Sequence, residues 1–206
     1  SVLVTGVQTC ALPILDSDYL LFLDGRTGNI TRGFMDLFLG SAQRADIGAV
    51  GGRVYDDRRR LWYGIKVLGL KGTVGDAFEG LKAGYTGYFH KAILQQNCHA
   101  VSGKAMMLRR ELFLKAGGFS EDVEDRMKDV DLCLKLEKLG YRNVYEPGIA
   151  VILQDHQRGR KQGARPAAQF AKKWKSLLQM PDRFYNSNLS LDNTDFRIRD
   201  YHRKED

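Results

Sequence analysis

The sequence predicts an α/β fold, on three observations. Apolar runs of strand length, at Tyr19–Leu23 and residues 47–54, alternate with stretches of helical apolar spacing near residues 32–44 and 129–139. Of the 206 residues, 43% are hydrophobic, which is enough for one globular core. No apolar run approaches the length of a membrane span, which excludes an integral helical membrane protein for this stretch.

The elements follow in order. Tyr19–Leu23 is a buried strand, residues 32–44 a helix, and residues 47–54 a second strand. Asp56-Asp57-Arg58-Arg59-Arg60 is a turn, and residues 61–68 form a strand with apolar alternation. Residues 69–90, with Gly69, Gly72, Gly75, Gly80, Gly84 and Gly87, are expected to form a long mobile loop. It is not a phosphate loop, because it has neither Gly-x-Gly-x-x-Gly nor a Gly-Lys-Ser/Thr ending. A strand over residues 100–108 leads to a short helix over 111–116, ended by Gly117-Gly118. A helix over 129–139 ends at Gly140, and a strand over 142–145 stops before Pro147. An amphipathic helix over 167–178 precedes an irregular tail.

The helix over 129–139 carries the most chemistry. On a wheel of 100° per residue, Leu132, Cys133, Leu136 and Leu139 share one side. Asp131, Lys135 and Lys138 lie opposite, so Asp131 is expected to face solvent or cap backbone groups. Asp129 falls inside the apolar arc. A carboxylate there must be capped, paired or used, because burial of an unpaired charge is costly. Two readings stay open at this point: an N-cap stabilised by the helix dipole, and a catalytic carboxylate.

An ordered set of segments carries a resemblance. Tyr19-Leu20-Leu21-Phe22-Leu23-Asp24 comes first, then Ala45-Asp46-Ile47-Gly48-Ala49-Val50-Gly51-Gly52. Asn97-Cys98-His99-Ala100-Val101-Ser102-Gly103 follows, with Arg109-Arg110-Glu111-Leu112-Phe113 and Gly117-Gly118-Phe119. Then come Asp129-Val130-Asp131-Leu132-Cys133-Leu134 and the tail Tyr185-Asn186-Ser187-Asn188-Leu189-Ser190-Leu191-Asp192. In this order they resemble the family 2 glycosyltransferases of the GT-A fold, from Leu15 onward. The resemblance implies a three-layer α/β/α sandwich around a mixed sheet. It also implies an inverting enzyme that moves a sugar from a nucleotide-sugar to an acceptor hydroxyl, in bacterial surface polysaccharide or glycoconjugate synthesis.

The family then assigns roles. Asp129 stands where it keeps its general base, which must reach the acceptor hydroxyl. Asp24 stands at the acidic position that holds Mn²⁺ or Mg²⁺ on the donor diphosphate. The last acid of that motif is replaced by Arg26, the chief departure from the pattern. A cation there repels a divalent ion, but its planar fork can grip a diphosphate, so weakened metal dependence is expected. Lys128 replaces the acid or Asn that usually precedes the base, and its cation would favour the ionised base wherever the two side chains approach. His156 and Arg158 are carried over as diphosphate contacts, and Ser102, Gly103 and Trp62 as acceptor contacts. Trp62, Phe78, Tyr85, Tyr88 and Phe89 are aromatic candidates for stacking on sugar rings, most of them expected to be packing residues.

Three further features bound the reading. Residues 4–14 resemble the in-frame translation of a DNA-sequencing adapter, so 1–14 is set apart from an acceptor-side domain over 15–163 and a basic tail over 164–206. The nucleotide-binding first half of the fold is then missing, and the isolated fragment is expected to be inactive. The three cysteines, Cys10, Cys98 and Cys133, are spaced for neither a zinc site nor a disulfide framework, which fits a reducing cytoplasmic setting.

The net charge of +7 is uneven: residues 1–156 carry 20 Lys and Arg against 19 Asp and Glu, and 157–206 carry 12 against 6. The basic stretch from Gln157 to Lys175 suits a diphosphate, an anionic membrane or nucleic acid, or is only a solvated helix face; the resemblance favours the diphosphate or the membrane, and implies a cytoplasmic protein that can reach the inner face of the plasma membrane, with a glycan or lipid-linked acceptor. No nucleic-acid motif accompanies the charge, so no nucleic-acid partner is expected. The alternative function is a non-catalytic sugar- or nucleotide-binding relative, favoured by Arg26 and Lys128.

Overall fold

The computed structural model describes residues 2–5, 17–154 and 167–200. Its strands are β1 (Val2–Thr5), β2 (Tyr19–Leu23), β3 (Thr27–Ile30), β4 (Ile47–Tyr55), β5 (Leu61–Tyr63), β6 (Ile65–Leu68), β7 (Val74–Asp76), β8 (Gln96–Cys98), β9 (Ala100–Val101), β10 (Ala105–Arg109) and β11 (Arg142–Leu153). Its α-helices are α1 (Phe34–Ala42), α2 (Arg110–Lys115), α3 (Lys128–Lys138), α4 (Ala168–Lys173) and α5 (Lys175–Leu178).

The main sheet runs β1-β2-β10-β4-β11-β3, with β5 added to β4 and β8 to β11. It is mixed: β1/β2 and β4/β11 are parallel, and β10 is antiparallel to both β2 and β4. β1 lies within the segment set apart as adapter-like, and its backbone pairs with Tyr19 to Phe22.

Strand alternation sends side chains to two layers. Leu21, Val50 and Met107 meet Phe38 and Ala42 of α1 on one face. Leu20, Ala49, Met106 and Leu108 meet Leu112, Leu132, Leu136 and Phe170 on the other. The result is the expected α/β/α sandwich with a mixed sheet.

A second, three-stranded sheet, β7-β6-β9, lies over the α3 side. Gly51 makes room for it: a Cβ there would lie 2.3 Å from Val101 Cβ. Asn143, fully buried, ties the layers together. Its amide donates to the carbonyls of His99 (2.8 Å) and Cys133 (3.0 Å), and its oxygen accepts from Ala49 N–H (3.1 Å). α3 closes on Gly140, whose φ of +91° suits glycine at a helix end.

Several expectations are corrected here. Residues 61–68 are two strands in two sheets, broken at Gly64, whose N–H turns to Asp76 Oδ1 (3.2 Å). The stretch 69–90 contains β7 and a 3₁₀ turn at Leu70–Gly72, and buries Leu70 and Phe78. The strand over 100–108 is divided by a turn at residues 102–104. β11 continues past Pro147 to Leu153, because an irregularity between Tyr145 and Ala150 interrupts the ladder there, so the proline displaces no ladder hydrogen bond. The helix over 167–178 is two short helices meeting at Trp174.

Asp131 is the largest correction, since it is fully buried instead of solvent-facing. The outer side of α3 is covered by α4, and Trp174 Nε1 donates to Asp131 Oδ1 (2.8 Å) while Ser120 Oγ donates to Oδ2 (2.6 Å). Lys173 and Lys135 stand at 3.1 and 3.4 Å. Burial alone would raise the pKa of this carboxyl. Ser120, Trp174 and the two lysines outweigh it and hold the group below its ordinary value.

Candidate active site

The site forms where β2 ends beside the turn between β9 and β10. Leu23 pairs with Ala105, and Asp24 N–H donates to Lys104 O (3.1 Å), which fixes Asp24 next to that turn. Two consecutive residues of the turn then reach two different acids. Gly103 N–H donates to Asp129 Oδ2 (2.9 Å), and Lys104 Nζ lies 2.9 Å from Asp24 Oδ2. Gly103 also permits close approach, since a Cβ there would lie 3.1 Å from Asp129 Cβ.

Asp129 sits in the first turn of α3, but the cap position belongs to Met127, which makes no side-chain cap bond. Asp129 Oδ1 accepts from Val130 N–H (2.8 Å). The carboxylate therefore satisfies one free helix N–H and reaches out of the helix to the turn, half-buried at its edge. Lys128 does not approach it; its ammonium pairs with Asp125 at 2.8 Å.

Asp24 carries two cations. Arg26 donates from Nε to Oδ1 (2.9 Å) and from Nη2 to Oδ2 (3.0 Å), a bidentate fork, and its backbone N–H also reaches Oδ1 (3.0 Å). This pairing, with Lys104 added, overcomes partial burial and holds the Asp24 carboxyl well below the usual carboxylate range. The Trp62 ring lies 5.6 Å from the Arg26 guanidinium and stacks on Tyr63.

Behind this cluster lies a pair that the sequence reading misses. Lys66 Nζ and Asp76 Oδ2 are 2.8 Å apart, nearly buried between β6 and β7. Burial would favour the neutral amine, but the charges of Asp76 and Asp129 keep Lys66 an ammonium. The alternating pattern of residues 61–68 hides this lysine as a polar strand position. Lys104 is missed for a similar reason, because it falls within a run that reads as continuous strand.

The structure thus brings Asp24, Arg26, Trp62, Gly103 and Asp129 to one region. Ser102 is buried, and its Oγ accepts from Lys104 N–H (3.3 Å), so it shapes the turn. Phe78 is a packing residue, stacked on Phe196 at 4.3 Å, whereas Tyr85, Tyr88 and Phe89 are exposed. His156 and Arg158 lie outside the described residues.

The described residues around Asp24 offer no ready ligand set for a divalent ion. Both Asp24 oxygens accept from cationic donors, and among the described residues no group of three His, Cys, Asp or Glu side chains converges.

The fold is that of the GT-A glycosyltransferases. It superposes on the crystal structure of GalNAc-T7 with UDP, GalNAc and Mn²⁺ with a TM-score of 0.54 and 10% identity, over 77% of this chain and 31% of that one. Among curated proteins, an uncharacterised protein y4gI of Sinorhizobium fredii is 32% identical over 75% of this chain and 18% of its own length. The O-antigen biosynthesis protein RfbC of Myxococcus xanthus is 28% identical over 94% of this chain and 16% of its own. The N-acetylglucosaminyl-diphospho-decaprenol L-rhamnosyltransferase of Mycobacterium tuberculosis is 37% identical over 37% of this chain and 24% of its own. The chain therefore spans less than a quarter of the length of each of these relatives. No family model matches it.

Proposed function

We propose that this chain forms the acceptor-side part of an inverting glycosyltransferase acting in bacterial surface polysaccharide or glycoconjugate synthesis. The observation that carries the reading is the turn over residues 102–104. Direct displacement at an anomeric carbon needs a base beside the incoming hydroxyl and positive charge beside the departing diphosphate. One turn, through Gly103 and Lys104, joins the carboxylate of Asp129 to the cations at Asp24.

In this mechanism Asp129 takes the proton of an acceptor hydroxyl. Its two backbone hydrogen bonds fix the carboxylate while leaving lone pairs on both oxygens. The hydroxyl oxygen attacks the anomeric carbon, the bond to the diphosphate breaks, and configuration inverts. Arg26 and Lys104 meet the charge that develops on the leaving group. Trp62 offers an aromatic face to a sugar ring.

The donor is a nucleotide-sugar and the acceptor a glycan or lipid-linked saccharide, with work at the cytoplasmic face of an anionic membrane. The relatives named for O-antigen biosynthesis and as a rhamnosyltransferase support the sugar-transfer part of this reading.

The test is Asp129→Asn in the native full-length protein. Transfer should fall by about 10²-fold or more while donor binding persists. Full transfer by this variant would refute the assignment. The competing reading, a non-catalytic relative, is favoured by Arg26 and expects donor binding with no turnover in the wild-type protein.

A further inference from the structure

We infer that residues 82–94 form a membrane-docking surface, whose exposed aromatic and aliphatic side chains enter the interface of an anionic bilayer. The inference rests on the membrane setting of the proposed function and deepens it by naming the surface.

Exposure carries the first part of the argument. Among the described residues, five of the ten exposed large hydrophobic side chains fall within this one segment: Tyr85 (63%), Tyr88 (37%), Phe89 (77%), Ile93 (40%) and Leu94 (52%). Exposed apolar side chains scattered singly are ordinary, whereas a cluster marks an interaction surface. The segment has a firm base. Ala92 is buried, and its carbonyl accepts from Tyr145 Oη (2.9 Å). Gln96 Nε2 donates to the carbonyls of Lys91 (2.6 Å) and Leu94 (3.0 Å), and the Tyr88 ring stacks on Phe196 at 5.7 Å.

The backbone gives the second part. Phe89 and His90 have φ of +45° and +60°, a region that costs any residue with a Cβ. The ring contact of Phe89 among the described residues is the edge of Tyr88 at 4.6 Å. A strained turn that holds a phenylalanine out in water gains little within the fold. It gains from a surface that takes up the ring.

Charge selects that surface. Residues 80–94 contain Lys82, His90 and Lys91 and no acid. Arg60 pairs its backbone with Lys82, which brings the turn at 56–60, with three arginines and two aspartates, beside the segment. Three neighbouring acids are engaged: Asp56 accepts from the N–H groups of Arg58 and Arg60, Glu79 pairs with Lys71, and Glu146 accepts from Gln95. Tyrosines and apolar side chains ringed by cations suit the boundary between acyl chains and anionic headgroups. The segment also joins β7, which carries Asp76, to β8 and β9, which lead into the turn that holds Asp129. A bilayer held here is therefore next to the small sheet that borders the site, where a lipid-linked acceptor would be needed.

The native full-length protein is floated with vesicles of phosphatidylcholine alone and of phosphatidylcholine with phosphatidylglycerol. Amide hydrogen exchange over residues 82–94 is followed with and without them. Binding to the anionic vesicles is expected, weakened by salt, with slower exchange in this segment. Phe89→Gly removes the ring and suits the left-handed backbone, so the melting temperature should hold while vesicle affinity falls by about 10-fold. Tyr85→Ser should weaken binding in the same direction. Lys82→Gln should cost about 5-fold on anionic vesicles and nothing on phosphatidylcholine alone.

No vesicle binding, or binding undiminished in both Phe89→Gly and Tyr85→Ser, overturns the inference. So does slow exchange of the segment without vesicles, which would show it covered by another part of the full-length chain or by a second copy. Vesicle binding is read without turnover, so its failure leaves the sugar-transfer reading standing. Undiminished transfer by Asp129→Asn, which should float as the wild-type protein does, overturns that reading and leaves the docking surface standing.

Discussion

Asp129 and Asp131 stand two residues apart on α3, and substitution by Asn should separate them completely. Asp131 is fully buried and accepts from Ser120 Oγ at 2.6 Å and Trp174 Nε1 at 2.8 Å, with Lys173 at 3.1 Å and Lys135 at 3.4 Å. An Asn side chain has the same shape. It keeps one carbonyl for Trp174, but it turns an amide N–H₂ toward the Ser120 hydroxyl and removes the counter-charge that Lys135 and Lys173 share, while Lys173 keeps Asp122 at 3.1 Å. Hydrogen bonds to a charged group contribute roughly 1.5–3 kcal/mol each, and removing one partner of a buried pair costs about 3–5 kcal/mol. Lys173 is partly exposed, which reduces its share. Asp131→Asn should therefore lower unfolding stability by about 2–4 kcal/mol, a large part of the ~5–15 kcal/mol of an ordinary domain.

Urea unfolding followed by circular dichroism and tryptophan fluorescence reads this directly. The pH dependence reads it again. The Asp131 carboxyl is held below its ordinary value in the folded protein, so its stabilisation is fully present above the unfolded value near 4 and is lost as pH falls below that. The variant should lack this part of the acid limb. A loss below about 1 kcal/mol, or an unchanged acid limb, would refute the claim that this carboxylate holds α4 to α3.

Two other substitutions probe the neighbouring contacts. In Gly103→Ala the new Cβ would stand 3.1 Å from Asp129 Cβ, so the carboxylate must shift by a few tenths of an ångström. Transfer in the full-length protein should fall by about 10-fold with little change in melting temperature, and an unaltered rate would show that the turn does not position Asp129. In Asn143→Ala the carbonyl of His99 and the N–H of Ala49 lose the Asn143 amide, and the Cys133 carbonyl loses its second donor besides the helix ladder, so stability should drop by about 3 kcal/mol in urea titration. A near-neutral result would mean that water replaces the amide.

The elements that sequence makes legible are those whose signals are local. Tyr19–Leu23 is an apolar run between polar flanks, and Ile47–Tyr55 and Phe34–Ala42 show their own periods, so each appears within a few residues of where it was expected. What stays hidden depends on a distant partner. Gly64 looks like one more residue in a strand until Asp76 draws its N–H out of register. The turn over 102–104 is masked by apolar residues on both sides, and only the pairing of Val101 with Ile65 and of Ala105 with Leu23 shows that two sheets meet there. The polar side of α3 looks like a solvent face because the wheel knows nothing of Trp174, which arrives from much later in the chain. The same holds for the candidate site. Asp24, Arg26 and Asp129 stand out through resemblance, whereas Lys104, Lys66 and Asp76 acquire their meaning from contacts across the fold.

Arg26 and Lys128 are the two departures that favour a non-catalytic relative, and the structure weighs them differently. Lys128 turns to Asp125, so it leaves the Asp129 carboxylate to its two backbone donors. Arg26 is held by both oxygens of Asp24 and faces Trp62, while a second cation comes to the same carboxylate from β9–β10. The Asp24 carboxylate is nearly buried and engaged by two cations, Arg26 two residues away and Lys104 from a distant part of the sequence. Burying a charged group is costly unless it is paired, and Asp24 is paired by both cations. The wild-type turnover assay in the native full-length protein decides between the two readings: transfer belongs to the glycosyltransferase, and donor binding with no transfer under any condition belongs to the non-catalytic relative.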